Sequence, residues 1–418
     1  MSPLDPAPDE SAWRVFLIFL RLGLTSFGGP IAHLGYFRLE FVERRRWLTD
    51  HEYSDLVALC QLLPGPASSQ AGMALGLRRA GWPGLLAAWA GFTLPSAVLM
   101  ILFALGVTRY QGIVESGWLH GLKIVAVAVV AQAVWAMARS LCPDRTRAAM
   151  ALSAAALTLA LPSVIGQIAV IIGGGLLGRW ALKIEPAGGH SVCRYPISRR
   201  TGMLALTLWV LPLALLPVWA AAGGSPMAVL LEGAYRAGAL VFGGGHVVLP
   251  LLQNAVVQSG TVSTADLLAG YGAAQAVPGP LFTFAAYLGA MAEGPLGGWA
   301  GGFAVLAVIF LPAVLALVGV LPFWEVLRQR RNLQASIAGI NAGVVGILLA
   351  ALYDPMWTSA IHDRWTSPWR WLRSVCSSSR VRRRSSSSCW EPWPVVRWRC
   401  STGVSSRAMC RRLRRGGP

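Results

Sequence analysis

Gln61-Leu62-Leu63-Pro64-Gly65-Pro66 returns 214 residues later as Gln275-Ala276-Val277-Pro278-Gly279-Pro280. Two prolines around a glycine in apolar sequence remove backbone donors and clash with the preceding turn, so neither copy can continue as plain helix. Upstream of each copy stands a second breaker, Phe27-Gly28-Gly29-Pro30 in the first case and Phe242-Gly243-Gly244-Gly245 in the second. The chain therefore reads as two copies of one unit, each with two interrupted helices.

The 418 residues are 55% hydrophobic and 13% charged, with a mean hydropathy of +0.54. That is too apolar for a soluble chain of this length and predicts an all-α polytopic membrane protein. No cleavable leader is expected, because residues 1–12 are polar and Pro-rich and the apolar run from Trp13 has no basic stretch before it. The seven cysteines lack metal-ligand spacing, so no metal, cofactor or disulfide is assigned.

The repeat can be followed by offset. Arg21 and Phe27 match Arg236 and Phe242 at 215, and Pro95 matches Pro312 at 217. The reading divides the chain into a polar segment 1–12, a first repeat 13–180, a connector with one linking membrane helix 181–225, a second repeat 226–363, and a tail 364–418. Matched loops carry opposite charge bias. Arg44-Arg45-Arg46 face a base-free stretch at 253–266, whereas Arg109 and Glu115 face Arg328, Arg330 and Arg331. Since Lys and Arg collect on the cytoplasmic side, the second repeat is expected to lie upside down relative to the first, with the amino terminus cytoplasmic and the protein multi-pass in the plasma (inner) membrane.

The tail departs from the repeat. Residues 364–418 hold 14 Arg and one acid, a net +13 of the total +18, while residues 1–363 hold 22 basic and 17 acidic groups. By repeat, an apolar pair should follow residue 363, matching the pair at 148–178 that is expected to pack into the first half. Read one base earlier, with Ser as TCN and Arg as CGN, Ser-Ser gives Phe, Leu, Ile or Val, Arg-Trp gives Leu, Val or Met, and Trp-Arg gives Ala. A shift of reading frame near residue 364 accounts for this; the alternative is a genuine disordered basic tail. The excess charge belongs to that tail and not to a nucleic-acid surface.

Breaks at matched positions of inverted halves point to a central binding site, because half-helix amino ends present free N–H groups suited to anions. Ser68 and Ser69 follow the first Pro-Gly-Pro and add hydroxyl donors. Arg21 and Arg236 are intramembrane arginines, candidates for an anion counter-charge, with snorkelling to the interface as the alternative. Gln61 and Gln275 can bond freed backbone or substrate. His33 and His246 are candidates for a coupling proton or for a neutral hydrogen-bonded role. An intramembrane enzyme would need paired carboxylates, a nucleophile or a His-rich metal motif, and the apolar segments show none of these.

Phe-Gly-Gly-Pro followed by Arg-Arg-Arg-Trp-Leu, Gln-x-x-Pro-Gly-Pro, and Phe-Gly-Gly-Gly-His with a second Pro-Gly-Pro resemble the two-domain chromate ion transporter family over residues 13–360. The resemblance implies chromate efflux driven by the proton motive force, with sulfate as a candidate competing oxyanion. It carries the family pattern to Gly28, Gly29, Pro30, Pro64, Gly65, Pro66, Gly243, Gly244, Gly245, His246, Pro278, Gly279 and Pro280. A sulfate or other oxyanion carrier is the alternative within this class. Chromate, protons, membrane lipid and a homodimeric copy are the expected partners, and nucleic acid is not.

Overall fold

A computed structural model describes residues 10–109, 117–183, 195, 197–222, 225–242, 245–258, 262–292, 297–327 and 330–358. The described residues are helical, with no strand among them. The first repeat contains α1 (Ala12–Thr25), α2 (Gly29–Arg38, running into a π turn Leu39–Arg44), α3 (Asp50–Leu62), α4 (Ala67–Arg109), α5 (Gly117–Leu141), α6 (Arg145–Ala160) and α7 (Val164–Ala181). α8 (Arg199–Ala221) links it to α9 (Pro226–Leu240), α10 (Val248–Gln258), α11 (Thr264–Ala276), α12 (Phe284–Met291), α13 (Gly298–Val320) and α14 (Arg331–Ala351). The aberrant tail 364–418 lies outside the described residues.

Starts are set by side-chain caps that satisfy otherwise orphan amides. Ser11, Asp144, Ser163, Ser198 and Ser225 cap their helices, and Thr49 forms a full capping box with Glu52. Ser263 occupies the position matched to Thr49 and caps α11 by accepting from the Asp266 N–H. Among the described residues, four helices are long and apolar enough to cross a membrane: Ala67–Arg109, Arg199–Ala220, Gly298–Leu327 and Arg331–Asp354. Only 6% of the most apolar window of α8 is buried, which fits a lipid-facing position.

α4 is two arms. Ala80 and Gly81 leave helical geometry, Gly81 at φ +62°, and Gly76 packs directly on Gly84 and Ala88. The matched pair in the second repeat, Gly289 and Gly301, makes the same close approach between α12 and α13. Likewise Gly23 of α1 lies against Phe92 of the carboxyl arm, and its counterpart Gly238 of α9 lies against Ile309. Small residues let backbones touch where no water drives helices together.

The halves are related by an approximate two-fold axis. The carboxyl arm of α4 and its repeat partner α13 pack side by side in opposite directions: Ile101 meets Gly302, Leu105 meets Gly298, and the rings of Trp89 and Phe310 are 5.8 Å apart. Equivalent helices running antiparallel place the axis across them, which is the inverted arrangement expected from loop charge. Each half also buries the far end of the other's long helix: Ala97–Ala104 joins the core of the second repeat, and Leu317, Val318 and Leu321 join that of the first.

One expectation is overturned. The hairpin α6–α7 packs not into its own half but across onto α14 of the second, through Gly174 and Gly178 on Gly339 and through Ala151 and Ala154 on Gly346. The physical reason is complementarity, since α14 offers a stripe of Ala335, Gly339, Gly343 and Gly346 into which the glycines of α7 and the alanines of α6 fit.

Candidate functional site

The four breaks meet in crossed pairs. Leu63 ends α3 in extended geometry, Gly65 follows at φ +117°, and its N–H donates to the Val241 carbonyl at the end of α9 (2.7 Å). In the mirror contact Gly279 sits at φ +107° and donates to the Ser26 carbonyl at the end of α1 (3.0 Å). The Pro-Gly-Pro of each half is thus bonded to the carbonyl that the other half's Gly-rich break sets free. Gly65 lies against Ala313, and Gly279 against Ser96, the residue matched to Ala313. Both Pro-Gly-Pro triplets interrupt their helices as the sequence requires, but the amides of Gly65 and Gly279 are already engaged by protein.

Around the first break Gly28 (φ +100°) and Gly29 (φ +77°) turn the chain into α2, which carries Pro30 in its first turn. His33, one turn on and 1% exposed, brings Nδ1 within 3.4 Å of Ser68 Oγ and packs edge-on to Phe92. The ring lies beside the Ser26 backbone, and Nε2 is buried without a close hydrogen-bond partner. Ser68, Ser69 and Gln70 occupy the first turn of α4 and are all buried. Gln70 clasps the break by donating Nε2–H to the carbonyls of Pro64 (2.8 Å) and Ala313 (3.2 Å). The sequence offers this amide as a donor just after the prolines, at a position where the second repeat has Phe284, but not its bond to Ala313 of the other half.

On the other side, His246 lies in the short 3-10 turn Gly245–Val247, with Nδ1 2.9 Å from the Tyr271 hydroxyl. Its Nε2 faces the first break, 4.0 Å from where a Cβ on Gly29 would stand. Pro278 and Pro280 flank Gly279, and Gln275 sits in the last turn of α11 with its amide directed to the Tyr271 hydroxyl. Gly243 and Gly244 lie outside the described residues.

The structure does not gather the remaining candidates at the breaks. Gln61 is exposed, and so is Arg21. Arg236 is tied to Glu232 at 2.7 Å, with side-chain exposures of 16% and 6%, so its charge is neutralised on α9 itself. Sequence reading paired Arg236 with Arg21 and overlooked Glu232, one helical turn earlier. Removing one partner of a buried pair leaves an uncompensated charge. Glu232→Ala is therefore expected to lower stability by about 3–5 kcal/mol, and the double change Glu232→Gln, Arg236→Met by much less. Thermal unfolding in detergent checks both.

At one end of the first half the arginine run is organised rather than free. Glu40, buried, takes Arg45 at 2.7 Å and Arg44 at 3.4 Å; Glu52, also buried, takes Arg78 at 3.0 Å. Arg79 donates to the Trp47 carbonyl and lies over that ring. Arg38 forks onto Asp50, which holds this exposed carboxyl below the usual carboxylate range.

Inverted repeats, helices broken at their centre, and buried polar groups at the breaks define an integral membrane transport protein. A family described as "Chromate transporter" matches residues 13–179 and 228–389, the two segments starting 215 residues apart as the repeat does. The chain belongs to this family. It is 28% identical to the chromate transport protein of Pseudomonas aeruginosa, over 83% of this chain and 82% of that one. It is 25% identical to a probable chromate transport protein of Synechococcus elongatus (87% and 88%), and 24% identical to the chromate transport protein of Cupriavidus metallidurans (83% of each). No solved structure matches.

Proposed function

We propose that the protein exports chromate across the plasma membrane, coupled to the proton motive force, with the oxyanion held where the broken helices meet. The observation that carries this reading is the crossed pairing of breaks, Gly65 to Val241 and Gly279 to Ser26, at the junction of two inverted halves. Two gates related by an axis in the membrane plane can open alternately around one fixed site. Chromate as cargo is the cargo named for the relatives above, and its tetrahedral dianion suits free helix amides and hydroxyls.

Pro64→Ala and Pro278→Ala are each expected to impair chromate uptake into everted vesicles severely while leaving membrane insertion intact, because a continued helix withdraws the freed backbone. An uncoupler should abolish the remaining wild-type uptake. Normal transport by both variants would remove the breaks from the mechanism, and sulfate competing more strongly than chromate would make sulfate the cargo.

The amino terminus and the arginine cluster are placed in the cytoplasm. His51→Cys and Ser263→Cys, at the starts of the matched helices α3 and α11, are then expected to react with an impermeant thiol reagent from opposite sides. Labelling from one side would contradict this orientation.

A further inference from the structure

The repeat is symmetric in backbone but not in chemistry. Ser26 and His33 match Val241 and Val248 at an offset of 215, Ser68 and Gln70 match Phe282 and Phe284 at 214, and Thr93 and Ser96 match Phe310 and Ala313 at 217. Polar groups of the first half become apolar ones in the second. Only the hydroxyl pair Ser69 and Thr283 is kept at these positions.

These first-half groups share one neighbourhood. His33 touches Ser68 and Phe92 and lies beside Ser26; Ser26 accepts from Gly279; Gly279 packs on Ser96, whose hydroxyl donates to the Thr93 carbonyl. Five of the first-half residues bury an atom with no partner: Ser26 Oγ, His33 Nε2, Ser69 Oγ, Thr93 Oγ1 and the acceptor Gln70 Oε1. Buried polar atoms are rarely left so, because each forfeits its water without a replacement. They stand beside the amino end of α4, where Ala67, Ser68 and Ser69 have N–H groups with no carbonyl one turn back to receive them. If the Ser68 hydroxyl donates to His33 Nδ1, the imidazole proton sits on Nε2, the unpartnered atom, as a further donor.

The second-half image is closed. Leu281–Thr283 forms a 3-10 turn, and Thr283 directs both its N–H and its hydroxyl to the Pro280 carbonyl (3.1 and 2.9 Å). The rings of Phe282 and Phe310 pack at 5.6 Å, and Phe284 packs edge-on to Tyr271.

We propose that the oxyanion is bound by one half only, at the amino end of α4, with Ser69, His33 and the first amides of α4 as donors, while the matched turn after Pro280 is an apolar wall. This rests on the transport reading above and deepens it. Binding of chromate and of sulfate to the purified full chain in detergent, followed by calorimetry, tests it through the matched pair Ser69→Ala and Thr283→Ala. Ser69→Ala and the milder His33→Gln are expected to weaken chromate binding about tenfold or more, the effect of losing a hydrogen bond to a charged group. Thr283→Ala should change it less than about twofold, and all three should elute as the wild type does.

Equal weakening by Thr283→Ala, or wild-type affinity in both first-half variants, would overturn the proposal. If that happens while wild-type vesicles still take up chromate, the transport reading stands and only the one-sided site falls. If wild type binds sulfate through Ser69 and His33 but moves no chromate, the site stands and the cargo changes. Binding of neither anion would overturn both.

Discussion

Gly65→Ala and Gly279→Ala are each expected to remove most folded protein from the membrane. At φ +117° and +107° these positions lie in the left-handed region that an L side chain rarely adopts, a strain of about 1–3 kcal/mol each. Space adds to it. A Cβ on Gly65 would stand 2.8 Å from Ala313 Cβ, and one on Gly279 2.7 Å from Ser96 Oγ. Neither can move away freely, because the amide of each glycine is bonded to a carbonyl of the other half. The two sources separate experimentally. Ala313→Gly should restore part of the yield of Gly65→Ala by removing the contact, and the backbone strain should keep it below wild type. Fluorescence-detected size exclusion of the solubilised protein measures this, and full recovery would show that the backbone conformation itself is unimportant.

Restoring the neighbouring reading frame near residue 364 is expected to raise the yield of monodisperse protein several-fold, the change in abundance that 1–2 kcal/mol of added stability produces. The structure supplies the reason. α6–α7 covers α14 of the opposite repeat, and the two-fold image of α14 is α5. A second-repeat hairpin supplied by the restored frame would by that relation cover α5, where Trp135 is 67% exposed. Sequencing the gene and expressing both versions, together with a deletion of 364–418, decides it. A stop codon or polar sequence in the alternative frame would make the basic tail genuine, as would loss of transport on deletion with no gain from the restored frame.

The duplicated Pro-Gly-Pro, the Gly-rich breaks before it and the opposite arginine bias of matched loops were enough to determine a helical membrane protein of two inverted halves. These are local or compositional signals: proline ends a helix wherever it stands, and charge sorts by side of the membrane without reference to packing. Partners are a different matter. Nothing in the order of residues says that Gly65 bonds to Val241, that α7 lies on α14, or that Glu232 silences Arg236, because each requires knowing which surfaces the fold brings together. The same holds for the candidate site. Ser68 and Ser69 could be picked out by their place after a break, but Ser26, Thr93 and the buried Nε2 of His33 became donor candidates only once burial left them without water or partner. Tertiary structure decided this, since an unsatisfied polar group is defined by what surrounds it and not by its own identity.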